Sequence, residues 1–426
     1  MRCAFGVLAL GLLLTTATAG QGLPHARPDE VGLNAAALDR IAPGLQAYVD
    51  SAKLPGLLAV VARHGKVVYE RPVGTLDGKA LSADRVFRIF SMTKPITSAA
   101  ALQLYEHGKL RLDDPVSKYI PAFAGVKVFV SGSTAQPQLR SPERAITVGD
   151  LLTHTAGLTY GFFGNTPVDS LYMRAGLSNN ATRWTNAQLA DSLARLPLLF
   201  SPGSRWTYSY AIDVLGRVME VASGMSLDRY LDSALFRPLG MRMTGFHATP
   251  EMVAKLAPIY SRGPDGSLQA AGGLWPEHSD SGRLFSGGGG LLSTPNDYLR
   301  FAQMLLNGGE LDGKRVLKRE TVSLMFQNQL PTSLVPLTIE PNWPPGRSGF
   351  GFGGAVRMDA DTSVPGSAGT FRWAGYGTTF FWIDPRANLI AMVWTQYMPV
   401  MEHWPLDSRF QRLVYAAVPR ATTGSQ

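Results

Sequence analysis

The sequence predicts an α+β fold: an antiparallel sheet flanked by helices with an inserted, mainly helical domain. Three observations predict it. A pair of β-rich runs with a turn between them lies near the start, LLAVVARHGKVVYERPVG, broken at His64-Gly65. A second pair lies near the end, TTFFWIDPRANLIAMVWTQY, broken around Asp384-Pro385-Arg386-Ala387-Asn388. Between them, from about 100 to 280, the patterns are mostly helical, with loops rich in Gly, Pro, Ser and Asn. Strands at both ends imply a discontinuous sheet domain (22–100 and 281–426) interrupted by a helical one (101–280), with a cleft between the two as the natural site.

In chain order, residues 35–52 carry Leu38, Ile41, Leu45 and Val49 at helical spacing and predict a first helix despite Pro43. SMTKPITSAAALQLYEHG is helical, with Met92, Ile96, Ala99, Ala100 and Leu104 on one face and Gly108 as a stop. Pro95 has no amide hydrogen and fits only the first turn, which places Ser91 at the helix start. VGDLLTHTAGL, NAQLADSLARL and AIDVLGRVMEVASG continue the helical series, the last with Val214, Leu215, Val218, Met219 and Ala222 on one stripe. The five prolines between 331 and 349 predict a long surface loop, and a final helix is expected near 404–417.

Composition narrows the function. Of 426 residues, 45% are hydrophobic and 17% charged, which excludes a mainly disordered chain. The net charge of +8 comes from 40 basic residues of which only ten are lysine, scattered without a basic run, so nucleic acid is not an expected partner. Arg2, the apolar stretch Ala4 to Leu14 and Ala17-Thr18-Ala19 read as a cleavable export signal over residues 1–19, which predicts a periplasmic or secreted product with no membrane span after cleavage. Eleven apolar residues fall short of the roughly twenty that cross a bilayer. Cys3 is the only cysteine and leaves with the leader, so neither disulfides nor a thiol nucleophile is available. The seven histidines show no metal-binding spacing, and no cofactor or metal is expected.

Ser91-Met92-Thr93-Lys94 is an S-x-x-K tetrad. On a helix, positions three apart share a face, so the Lys94 amine can reach the Ser91 hydroxyl. A hydroxyl becomes a nucleophile when a base takes its proton, and a lysine serves once burial or nearby positive charge favours its neutral form. The helix N-terminus supplies positive potential and free amide hydrogens for an oxyanion. Tyr208, just ahead of a helix, could project a phenol into a cleft, although packing is the commoner fate of such a tyrosine. Trp373-Ala374-Gly375 opens a strand, where glycine lets a substrate approach the backbone.

In this order the three segments resemble the serine β-lactamase and penicillin-binding-protein superfamily, whose S-x-x-K signature marks the nucleophile. The chain looks most like the class C branch and its relatives: esterases of the β-lactamase fold, D-amino-acid peptidases and acyltransferases. LLTHTAGL (151–158), SPGSRWTYS (201–209), RPLGMRMTGF (237–246) and GGGGLLSTPNDYLRF (287–301) are each similar to a family segment, and the resemblance extends over most of residues 40–395.

The resemblance implies that Ser91 is acylated, that Lys94 shares the base role with Tyr208, and that the backbone N–H groups of Ser91 and Tyr376 form the oxyanion hole. Tyr210, Trp373 and Gly375 are then the substrate-binding positions. Two departures bear on the substrate. The family's Tyr-x-Asn reads Tyr208-Ser209-Tyr210, and its Lys-Thr-Gly reads Trp373-Ala374-Gly375. Both the amide that contacts a β-lactam or peptide and the cation that pairs with a carboxylate are missing; Arg372 is adjacent but should face the other way along a strand. Trp here is similar to the esterase branch, so a small-molecule acyl substrate, most naturally an ester, is expected. A D-stereospecific amidase or peptidase, an acyltransferase and a non-catalytic module that binds cell-wall fragments are the alternatives; the sequence leaves the oligomeric state open. Asp213 reads as an acid favouring the helix dipole or orienting Tyr208 or neighbouring cations. His154 reads as lying away from the chemistry, and the Gly287–Gly290 run as close backbone packing under the site.

Overall fold

The computed structural model describes residues 22–162, 164, 166–177, 184–271, 284–337, 347–359, 364–398 and 404–419. The leader, the expected border at 280/281 and the middle of the proline-rich loop lie outside them.

Seven strands form one antiparallel sheet: β1 (Gly56–Arg63), β2 (Lys66–Gly74), β3 (Ser348–Phe350), β4 (Ala355–Arg357), β5 (Phe371–Gly375), β6 (Thr379–Asp384) and β7 (Leu389–Trp394). Their spatial order is β3-β4-β5-β6-β7-β1-β2. Both predicted hairpins are present. His64 and Gly65 turn between β1 and β2 with φ of 51° and 77°, the positive values a tight two-residue hairpin requires. The late hairpin closes the sheet onto the early one through β7 against β1, in the register Leu58↔Trp394 to Arg63↔Leu389.

The two-residue period of the strands divides the sheet's side chains between two layers. Leu58, Val60, Phe381, Ile383, Met392 and Trp394 join a large cluster on one face. Leu57, Ala59, Val61, Trp382, Ala391 and Val393 join a smaller one on the other. The smaller layer is covered by α1 (Ile41–Asp50) and α6 (Trp404–Tyr415), which contribute Ile41, Leu45, Leu406, Phe410 and Val414. The large layer receives α2 (Thr93–Glu106), α3 (Val148–Thr153), α4 (Ala211–Ser223) and α5 (Pro295–Leu306).

Three expectations change in detail. The first helix is split: Ala35–Leu38 is a separate turn, and α1 begins at Ile41 with Pro43 in its first turn. Proline offers no N–H to the carbonyl four residues back and its ring clashes there, so one helix cannot run through it. α2 is not one-sided, since Thr93 to Leu102 are all buried; a helix enclosed all round lies between layers rather than on a surface. The helical stretch also contains a short hairpin, Val128–Gly132 with Pro137–Arg140, whose burial is too slight to leave a clear alternating pattern.

Candidate active site

Ser91 sits in a single 3-10 turn, Phe90–Met92, that runs directly into α2. Lys94 is the second residue of that helix and is fully buried. One turn of helix therefore places the amine beside the hydroxyl: Lys94 Nζ lies 3.2 Å from Ser91 Oγ and donates to the Gly288 carbonyl at 2.6 Å. Removing the amine from water drives its pKa down to about 7, with the Asp213 carboxylate opposing the shift. Near neutral pH a substantial share of Lys94 is then an uncharged base, which an exposed lysine is not.

The residue ahead of the serine is strained. Phe90 has φ of 43°, a left-handed conformation that a bulky side chain rarely adopts. Two glycines make room for it. A Cβ on Gly375 would come within 2.4 Å of the Ile89 carbonyl, and one on Gly377 within 2.9 Å of the Phe90 ring. The end of β5 thus lies directly against the turn that carries Ser91, bringing the Tyr376 backbone alongside it, with the Phe90 and Tyr376 rings 6.3 Å apart.

The Gly287–Gly290 run forms the floor. Thr97 donates its hydroxyl to the Gly287 carbonyl (2.8 Å), and the Leu291 N–H donates to Thr93 Oγ1 (3.2 Å). A Cβ on Gly288 would lie 2.3 Å from Asp213 Oδ2. Asp213 projects from the first turn of α4 and accepts from the Gly288 N–H (3.1 Å) and the Ser286 hydroxyl. Of its two sequence readings, the structure supports the one involving a cation: the carboxylate is buried, its pKa raised by that burial, and Lys94 is the charge that most counters the shift.

Tyr208 covers the other side of the amine, its ring centroid 4.4 Å from Lys94 Nζ. It packs against Trp373 (5.4 Å) and Tyr160 (5.3 Å), and Tyr160 itself lies 5.3 Å from Lys94 Nζ. Tyr160 was not singled out from sequence; a tyrosine two residues past the HTAGL phrase carries no pattern of its own. Burial raises the Tyr160 phenol well above its ordinary pKa, which keeps it protonated. Tyr210 donates its hydroxyl to the Leu177 carbonyl (3.0 Å), so its hydrogen is already engaged within the protein, and its ring packs at a tilt against Tyr160 at 4.6 Å. Trp373 is 3% exposed, between Tyr208 and Phe350. Arg372 points to the opposite face, as its place in the strand predicts, and pairs with Asp407 of α6. His154 makes no bond to Ser91; its Nδ1 lies 3.2 Å from Ser209 Oγ.

Among the described residues no group of three or more His, Cys, Asp or Glu is placed to hold a metal ion. None of their helices is long and apolar enough to cross a membrane.

A hydroxyl, a desolvated amine beside it and the Tyr208 ring over that amine make an arrangement that can support acyl transfer through a serine. Comparison with known proteins agrees. The Beta-lactamase family model matches residues 41–416, and the chain belongs to that family. It is 33% identical over 416 residues to Esterase EstB of Burkholderia gladioli, covering 91% of this chain and 98% of the relative. Among solved structures it is similar to EstCE1, described as a hydrolase with promiscuous acyltransferase activity: TM-score 0.74, 30% identity, 89% of this chain and 99% of that one. Simvastatin synthase (LovD) from Aspergillus terreus superposes with a TM-score of 0.76 at 26% identity, over 90% of this chain and 99% of that one.

Proposed function

We propose that this protein is an exported serine carboxylesterase that works through an acyl-enzyme on Ser91. The observation that carries the reading is the buried Lys94 amine, held 3.2 Å from the Ser91 hydroxyl with its pKa near 7. In the first half-reaction the neutral amine takes the hydroxyl proton as Oγ bonds to the ester carbonyl carbon. The N–H groups of Ser91 and Tyr376 hold the oxyanion, and the alcohol leaves with a proton passed through Lys94 and Tyr208. In the second, water gives its proton to the same path as its oxygen bonds to the acyl carbon, and the bond to Ser91 Oγ breaks as Oγ takes that proton back, which releases the acid. Asp213 favours the ammonium form whenever Lys94 holds the proton.

The ester preference rests on what faces the opening. Trp373 stands where the family's amidases and β-lactamases carry a cation, Arg372 is turned away to Asp407, and Tyr210 replaces the family's amide. A free substrate carboxylate therefore has no partner from these positions. Likeness to an esterase and to a hydrolase with acyltransferase activity supports the same class. It also supports a second reading, transfer of the acyl group to an acceptor alcohol in place of water.

Initial rates on short-chain p-nitrophenyl esters, compared with D-alanyl amides, test the proposal. Faster turnover of the esters is expected, and faster turnover of the amides would overturn it. Adding a small alcohol separates the second reading, since an acyltransferase gives the new ester ahead of the acid. Export rests on the Arg2 to Ala19 leader, and sequencing the mature N-terminus is expected to find it starting at Gly20.

A further inference from the structure

We propose that His154 is a positioning residue that fixes the place of the Tyr208 phenol; this rests on the reading of Tyr208 as part of the acyl-transfer machinery. Tyr208 belongs to an irregular stretch between the turn at 202–204 and the start of α4. A side chain on such a stretch is only as well placed as its tethers. Both neighbours of Tyr208 are tied to the same residue. The Thr207 N–H donates to the His154 carbonyl at 3.0 Å, and Ser209 Oγ lies 3.2 Å from His154 Nδ1. Between these tethers the imidazole packs on the Tyr208 ring itself, with centroids 5.0 Å apart.

His154 is well suited to act as an anchor. It ends α3 in the left-handed region, φ 59°, which His, Asn and Asp adopt more readily than apolar residues. That helix is fixed at its start by a reciprocal cap between Thr147 and Asp150. The side chain is completely buried, and burial holds the imidazole neutral, so it adds no charge beside Lys94. A compact, polar, uncharged ring meets three demands at once: contact with the Tyr208 ring, a bond to Ser209, and tolerance of positive φ. The Ser209 hydroxyl carries the tether onward, accepting from the Ala211 N–H at the start of α4 (3.3 Å).

The test is a double-mutant cycle read as kcat and KM on p-nitrophenyl acetate. In the wild-type background His154→Phe is expected to lower kcat about thirtyfold with KM within about twofold, because the phenol moves while the opening stays. His154→Asn keeps a polar atom near Ser209 and tolerates the backbone conformation, and is expected within about threefold of wild type. In the Tyr208→Phe background, where no hydroxyl remains to be positioned, His154→Phe is expected to add less than about twofold. An equal loss in both backgrounds, an unimpaired His154→Phe, or His154→Asn as impaired as His154→Phe would overturn the positioning role. Should His154→Phe fail to fold, Ser209→Ala removes the same tether from its other end. It is expected to cost about fivefold in kcat in the wild-type background and nothing in Tyr208→Phe, and equal losses or no loss would overturn the proposal. A fully active Tyr208→Phe overturns the acyl-transfer role of Tyr208 along with the tether. An impaired Tyr208→Phe with multiplicative His154 losses overturns the tether alone.

Discussion

At the scale of single residues the chemistry rests on where one amine sits. Lys94 is enclosed on every side, accepted by the Gly288 carbonyl and opposed by Asp213, so its proton affinity is set by burial first and by that carboxylate second. If Ser91 and Lys94 act as one unit, Ser91→Ala abolishes turnover and Lys94→Ala does nearly the same, since members of such a unit fail together. Tyr208→Phe is expected to lose about a thousandfold. A variant that keeps more than about a tenth of wild-type activity removes its residue from the mechanism, because tenfold is only about 1.4 kcal/mol of barrier. Steady-state rates on a p-nitrophenyl ester check all three. Asp213→Asn gives a signed prediction. Asp213 raises the Lys94 pKa, so removing its charge lets that pKa fall further, and the acid limb of the kcat/KM profile moves to lower pH. An acid limb that moves to higher pH, or stays in place, contradicts the role given to Asp213.

At the scale of elements, the site depends on three backbones that approach one another closely: the Phe90–Met92 turn, the Gly287–Gly290 run and the end of β5. Gly375→Ala tests this. Its Cβ would lie 2.4 Å from the Ile89 carbonyl and 2.5 Å from Thr379 Oγ1, so β5 must retreat from the turn that holds Ser91. The expected result is a folded protein with kcat lowered at least about tenfold, since small displacements of oriented groups are costly in rate. A folded variant with unchanged kcat would show that this approach does not matter to catalysis. The elements also show how far the sequence could be read. The hairpins at 56–74 and 379–394 and the helix after Ser91 were legible because strand alternation, turn residues and the first-turn Pro95 are local signals. Tyr160 and the tether from His154 to Ser209 were not, because they exist only when residues some fifty positions apart meet in a buried layer. Asp213 was legible as an acid in a first helical turn. Its facing Lys94 required the glycine run to bring Gly288 between them.

At the scale of the whole molecule, the first and last strands of the sheet region are joined through β1 and β7, and the helical segment packs on the face that carries Trp373. The site therefore takes its character from both ends of the chain: a desolvated base from α2, in the first part, and an uncharged Trp-Ala-Gly edge from β5, in the last. The fold class followed from the order of these segments, while the two departures at Tyr210 and Trp373 followed from comparing single positions with the family pattern. From them follows a selectivity expectation. Penicillin-type β-lactams, which present a carboxylate and an amide, should be hydrolysed at least about a hundredfold less efficiently than short esters, because neither group meets a designed partner. Comparable kcat/KM on the two substrate classes would contradict this picture of the opening.

The most direct test is the pH dependence of Ser91 acylation in a single turnover of a p-nitrophenyl ester, with the adduct located by mass spectrometry. A neutral Lys94 acting as base predicts a rate that rises through an inflection near pH 7 and falls to almost nothing in Lys94→Ala. Acylation that is flat across that range, or that proceeds at the wild-type rate without the Lys94 amine, would contradict it.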